Sequence, residues 1–217
     1  QFSMDETQKT TGPAPVKFSS KMIKLLIAGG VLLALLAWVA GSYNRLVTER
    51  ENVDTKWSAV ESDYQRRSDL VPNLVATVQG AANFEQQTLT QVTEARAKAT
   101  STTVNLDDPA TLESFKANQG ELSGALSRLL VSVEAYPTLT ATQNFQDLQT
   151  QLEGTENRIS VARKDYSAAA KEYNVLRSRF PTNIIAGVVS FKERPYFEAE
   201  AGAENAPKVD FSTPTDQ

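Results

Sequence analysis

Residues 145–180 read FQDLQTQLEGTENRISVARKDYSAAAKEYNVLRSRF, and the spacing of their apolar side chains decides the fold. Phe145, Leu148, Leu152, Thr155, Ile159, Ala162, Tyr166, Ala169, Tyr173, Leu176 and Phe180 follow one another at steps of three or four. That alternation keeps a single seam on one side of an α-helix for about five heptads. A sheet would need period-two alternation, and no run before residue 184 sustains it. Pro181, without an N–H, stops the helix.

Three further seams lie upstream. Val53, Trp57, Val60, Tyr64, Val71, Leu74 and Val78 form the first, with Arg67 as the one charge on it, and Gly80 marks its end. The second is expected to start at Asn83 as N-cap, with Glu85 in its first turn, and carries Leu89, Val92, Arg96 and Ala99 on one face. The third opens with Asp108 as cap and Pro109 at the first helical position. It runs through Leu112, Phe115, Gln119, Leu122, Leu126, Leu129, Val133 and Tyr136. The segment AYPTLTA reads as the turn into the fourth, with Tyr136 packed and Pro137 breaking. Four seams joined by short polar connections predict an all-α, antiparallel, up-down-up-down four-helix bundle over residues 45–180. Its first and last helices, of roughly 35 to 40 residues or about 55 Å, exceed the middle two. Part of the long pair is therefore expected to project like a stalk.

Ahead of the bundle, residues 25–44 read LLIAGGVLLALLAWVAGSYN, without a charge. Twenty such residues span roughly 30 Å, the hydrocarbon thickness of a bilayer. Lys21 and Lys24 flank one end, and Trp38 and Tyr43 sit near the other as interfacial anchors. A signal peptide has a shorter apolar region and a shorter leader, so residues 22–44 are expected to be a single transmembrane helix. Lys17, Lys21 and Lys24 before the span nearly balance Arg45, Arg50 and Lys56 after it. The two lysines nearest the bilayer tip the orientation towards a cytoplasmic N-terminus and an extracytoplasmic bundle. Gly30, Ala34, Ala37 and Gly41 step by four, three and four, a face of small residues on which two membrane helices can pack closely. Residues 1–21, polar with Pro and Gly and aperiodic, read as a flexible tail.

Composition narrows the chemistry. The chain has 217 residues, 41% of them hydrophobic, enough for one core with appendages. A net charge of −4 argues against a nucleic-acid partner. No cysteine and no histidine occur. Thiolate nucleophiles, histidine bases and most zinc or iron sites are thereby excluded, and neither a catalytic residue nor a cofactor or metal site is expected. Beyond the bundle, residues 181–217 change character. Ile184, Ile185, Val188, Val189 and Phe191 are apolar and β-prone, and Tyr196, Phe197, Val209 and Phe211 follow at wide intervals. This reads as an extended strap with aromatic anchors, packed on its own bundle or docked on a neighbouring subunit.

RRSDLVPNLV, AYPTL, FQDLQTQLEGTENRISVARKDY, YNVLRSRFPTNIIA and YFEAEAGAENAPKVDF, in this order between about Tyr43 and Phe211, resemble the bacterial LemA family. The resemblance implies one N-terminal membrane helix ahead of an antiparallel helical bundle in a bacterial cell membrane. It brings no activity, cofactor or catalytic residue. Ser167 departs from it, standing where the family often has Asn.

The polar block within RRSDLVPNLV is the candidate site: Arg66, Arg67, Asp69 and Asn73, with Glu156 and Arg163 beside the seam of the fourth helix. If the first and fourth helices pack together, these residues can form a buried Arg–carboxylate cluster that fixes register. Pro72 frees a backbone carbonyl one turn earlier, and Asp69 or Asn73 is expected to absorb the freed groups. The competing reading has Arg66 and Arg67 clamp a carboxylate, a phosphate or a peptide terminus. These features predict a non-enzymatic, membrane-anchored scaffold that self-associates into a homo-oligomer. The alternative is a membrane-anchored adaptor or receptor that binds a peptide or small anion and regulates a membrane partner such as a protease.

Overall fold

The computed structural model describes residues 19–80 and 84–197. Its elements are α1 (Ser20–Gln79), α2 (Gln86–Ser101), α3 (Pro109–Val133), α4 (Pro137–Thr140), α5 (Gln143–Ser178) and α6 (Thr182–Val189). No strand occurs among the described residues. The chain divides into two compact units, residues 1–42 and 43–217. In the first unit α1 is an apolar helix, long enough to cross a membrane, whose side chains are exposed throughout, with Leu25 at 75% and Leu33 at 69%. Helix formation already includes Ser20 and Lys21, two residues of the expected flexible tail; residues 1–18 lie outside the described residues.

The second unit is the bundle, and its core falls into two clusters. One gathers Leu46, Val53, Trp57, Val60 and Tyr64 of α1, Leu112 and Phe115 of α3, and Ile159, Ala162, Tyr166 and Tyr173 of α5. The other gathers Val71, Leu74 and Val78 of α1, Leu89, Val92, Ala95 and Ala99 of α2, Leu122, Leu126, Leu129 and Val133 of α3, and Phe145 and Leu152 of α5. Chain order through these clusters gives the directions. α1 and α3 pass from the first to the second, and α5 passes from the second to the first. α2 starts deep in the second and ends near the boundary. The bundle is thus antiparallel, as the seams predict.

Helix ends follow local chemistry. Asp108 caps α3 by accepting from the Ala110 N–H at 3.1 Å, with Pro109 in the first turn. α2 begins at Gln86, later than expected, and Asn83 lies outside the described residues. Its N-cap is Glu85, whose carboxylate accepts from the Thr88 hydroxyl at 3.0 Å. Pro137 opens the one-turn helix α4, whose Leu139 is buried, so the AYPTLTA turn is itself partly helical. α5 ends at Ser178, and Phe180, expected on its seam, is 80% exposed.

Two expectations for the tail and stalk are corrected. Thr182–Val189 is a helix, α6, which buries Ile185 and Ala186 and folds back against α5. Its β-branched residues lowered the local helix propensity, but burial of one face overrides that. Ser190 takes the left-handed conformation (φ 61°). Its N–H donates to Gly187 O at 3.3 Å and the Phe191 N–H donates to Ala186 O at 2.9 Å, a Schellman closure. Only after this turn does the chain run extended, from Phe191 to Phe197; Val209 and Phe211 lie outside the described residues. Nor is the longer pair bare where α2 has ended. Val104 and Leu106 of the α2–α3 connection, together with Ile185, Ala186, Phe191 and Phe197, complete the first cluster.

Leu74 has no exposed surface and sits amid the second cluster. Leu74→Ala should lower unfolding free energy by about 2–5 kcal/mol. Val131→Ala, at a side chain 65% exposed, should change it by less than about 0.5 kcal/mol. Parallel thermal melts of the detergent-solubilised chain compare the two.

Candidate functional site

Between the two apolar clusters lies a polar layer. On α1 it falls between Tyr64 and Val71, on α3 between Phe115 and Leu122, and on α5 between Leu152 and Ile159. Its centre is Arg67, 1% exposed. Nη1 donates to Ser123 Oγ at 2.7 Å and to Glu156 Oε1 at 2.6 Å. Nη2 donates to Gln119 Oε1 at 2.6 Å and to the Gln119 carbonyl at 3.2 Å. The Gln119 amide in turn donates to Ala99 O at 3.3 Å. One guanidinium thus joins α1 to α3 and α5 directly and to α2 through Gln119. Its Cζ also lies 5.0 Å from the Tyr64 ring centroid, a favourable cation–π geometry. Glu156 remains half exposed, so the pair reaches from the core to the surface.

The layer solves a backbone problem as well. Pro72 lacks the N–H that would meet the carbonyl of Ser68, and Ser68 is 1% exposed. Arg96 of α2 donates its Nε–H to that carbonyl at 2.8 Å. α1 therefore continues through Pro72 without an orphaned buried acceptor. The partner expected from the sequence, Asp69 or Asn73, is wrong. Asp69 is exposed and accepts from Gln65 at 2.8 Å. The Asn73 carbonyl accepts from the Thr77 hydroxyl at 2.8 Å.

The six candidate residues therefore separate. Arg67 and Glu156 meet. Arg163 lies two turns along α5 from Glu156, about 10 Å by the helical rise, and places its guanidinium 4.8 Å from the Phe197 ring centroid. Arg66, rotated about 100° from Arg67 on the helix, is exposed. It lines a shallow groove of about 260 Å³ between α1 and α5, with Leu70, Thr150, Gln151, Gly154, Thr155 and Arg158. Asp69 and Asn73 take no part in the layer. In the apolar helix, a Cβ added at Gly30 or Gly41 meets nothing within 4 Å, and Ala34 and Ala37 lie on the same exposed run.

A second buried arginine escaped the sequence reading. Arg194, 3% exposed, donates through Nη2 to Asp54 at 2.9 and 3.2 Å and through Nη1 to Asp107 at 2.9 Å. Asp107 also accepts from Arg50 at 3.0 Å. Arg50, Asp107, Arg194 and Asp54 thus alternate in sign from α1 through the α2–α3 connection to the strap. Burial pushes the Asp54 carboxyl above its ordinary value, and Arg194 and Arg50 pull it back. Neither spacing nor periodicity connects these residues, since Asp54 and Arg194 stand 140 positions apart.

The strap is also held by its main chain. Tyr166 donates to Pro195 O and Tyr173 to Lys192 O, both at 2.9 Å, and Arg177 Nε to Phe191 O at 2.7 Å. Asn174 donates to Arg194 O at 2.8 Å and accepts from the Arg194 N–H at 3.0 Å. One face of α5 thereby supplies the hydrogen bonds that a neighbouring strand would give an extended peptide. Phe197 then stacks on Trp57 (6.0 Å) and meets Tyr166 edge-on (5.6 Å). Among the described residues, no group of three or more acidic, histidine or cysteine side chains is placed to hold a metal.

Arg67→Ala should lower unfolding free energy by about 1–3 kcal/mol, because the buried Gln119 oxygens lose their donors while half-exposed Glu156 can turn to water; Arg66→Ala should change it by less than about 0.5 kcal/mol. Equal denaturant midpoints for the two variants would contradict the polar layer. A pH effect follows from the strap. Burial raises the hydroxyl pKa of both Tyr166 and Tyr173. The folded chain then keeps protons that the unfolded chain sheds near the ordinary tyrosine value of about 10. The contribution of these tyrosines to stability should be flat below about pH 10 and fall above it. Tyr166→Phe should shallow that fall in melts recorded from about pH 8 to 11.

Comparison with known proteins gives the chain a family. The LemA family model matches residues 56–211. Magnetosome protein MamQ 2 of Paramagnetospirillum magneticum is 27% identical over 222 residues, covering 94% of this chain and 80% of that protein. Magnetosome protein MamQ of Magnetospirillum gryphiswaldense is 26% identical, covering 93% and 79%. Protein LemA of Metamycoplasma hominis is 24% identical over 159 residues, covering 73% and 70%. The chain belongs to the LemA family.

Proposed function

We propose that this LemA-family chain is a non-enzymatic, membrane-anchored scaffold that self-associates in a bacterial cell membrane. The observation that carries the reading is the engagement of its buried charge. Arg67 and Arg194 spend their guanidiniums on Ser123, Gln119, Glu156, Asp54 and Asp107, partners within the fold, and so hold helices in register instead of presenting charge to a substrate. The exposed apolar residues of α1 supply the anchor. The small residues Gly30, Ala34, Ala37 and Gly41 supply a face on which a second copy can pack. Lys21 and Lys24 favour a cytoplasmic N-terminus, with the bundle on the extracytoplasmic side.

The second reading, an adaptor that binds a small anion or peptide terminus and regulates a membrane partner, is favoured by the groove between Arg66 and Arg158, where two cations can converge on one carboxylate or phosphate. It relocates the clamp from Arg67, whose Nη1 and Nη2 both donate to partners within the fold, to Arg66. Light scattering of the detergent-solubilised full chain distinguishes the two. A defined assembly larger than a monomer is expected, and Gly30→Leu together with Gly41→Leu should shift it to smaller species. A monomer that binds inorganic phosphate, with binding lost in Arg66→Ala, would overturn the scaffold in favour of the adaptor.

A further inference from the structure

α6 buries Ile185 and Ala186 on the bundle and turns other apolar side chains outward: Ile184 is 57%, Val188 81% and Val189 47% exposed, and Phe180 just ahead is 80% exposed. Exposed large apolar groups in such a short stretch cost hydration free energy unless something covers them. Their position indicates what does. Phe191, immediately after the turn that closes α6, meets the ring of Tyr43 at 5.9 Å. Ile185, Ala186 and Phe191 share one apolar cluster with Leu46 and Val47. Tyr43 lies at the end of the uncharged run 25–44, where an aromatic anchor marks the edge of the hydrocarbon. α6 is therefore held beside Tyr43, the first residue of the bundle unit after the apolar run. Arg179 precedes the apolar group and Lys192 follows it, and both are exposed, which suits an anionic headgroup layer.

We propose that α6 is an interfacial helix: its outer face, with Phe180, lies in the boundary between headgroups and acyl chains of the same bilayer that holds α1. This rests on the membrane-anchored reading and adds a second contact to it. Helices of this kind bury their apolar side about 5–10 Å into the boundary, a depth that Ile184, Val188 and Phe180 can reach while Ile185 and Ala186 stay on the bundle.

The test uses the absence of cysteine in the chain. Leu33→Cys, Val188→Cys and Val131→Cys are each labelled with bimane in the full-length protein. Each is reconstituted into vesicles of phosphatidylcholine and phosphatidylglycerol carrying nitroxides at a shallow or a deep acyl position. Bimane at 188 should lose emission to the shallow nitroxide, bimane at 33 should respond to the deep one, and bimane at 131, on α3, to neither. Quenching at 33 with none at 188 overturns the interfacial helix and leaves the anchor standing; it is also the result expected if a second copy of the chain covers α6. No quenching at 33 overturns the anchor and, with it, this inference. Ile184→Asp should abolish shallow quenching at 188 while leaving deep quenching at 33 intact; quenching at 188 that survives this change would count against the assignment.

Discussion

Arg67 holds a full positive charge at a position where the rest of its helix seam is apolar, and the bundle is arranged around satisfying it. A buried guanidinium without partners costs several kcal/mol. Four of its contacts come from α3 and α5, at 2.6 to 3.2 Å, and can form only if those helices meet α1 in one register. Sliding either helix by a turn, about 5.4 Å, would break this set of hydrogen bonds. The apolar clusters on either side supply most of the burial but are tolerant of such slips, because Leu and Val pack against one another in many ways. The polar layer provides the specificity that they lack. Arg96 adds a second tie at the same level, closing the carbonyl that Pro72 leaves open.

Away from that layer the two halves of the bundle are built differently. One is a four-helix core. In the other α2 has ended, and its place beside α1, α3 and α5 is taken by a connection, a short helix and an extended segment. An irregular segment can fill a helix's place only if its backbone groups find partners. Tyr166, Tyr173, Asn174 and Arg177 provide them. Arg194 locks the segment to α1 through Asp54 and to the α2–α3 connection through Asp107.

The regular part of this fold was legible because periodicity is a local signal. The seams of α1, α3 and α5 could be counted directly, and Arg67 was visible as the charge that interrupts one of them. Glu156 was found as its partner because both sit at the same level of facing helices. Arg163 stands two helical turns along α5 from Glu156, about 10 Å by the helical rise, and reaches Tyr64 and Phe197 instead of that carboxylate. α6 was misread because Ile184, Ile185, Val188 and Val189 favour strands when judged one by one, while the burial of Ile185 and Ala186 that makes them helical comes from the tertiary fold. Arg194 with Asp54 and Asp107 left no pattern in the sequence. Their pairing depends on where an extended segment comes to rest, and a single sequence does not encode that as spacing.

The strap also sets an order of events during synthesis. Residues 190–197 leave the ribosome after every group they contact. The half of the bundle around Leu74 and Leu122 has all its helices once α5 has emerged. The half around Trp57 must wait, with Asp54 and Asp107 short of their shared cation and Trp57 and Tyr166 without Phe197. A chain interrupted before Arg194 would leave Trp57 and Tyr166 without Phe197 and Asp54 without its arginine, while Asp107 kept only Arg50. That is the kind of surface proteases and chaperones act on.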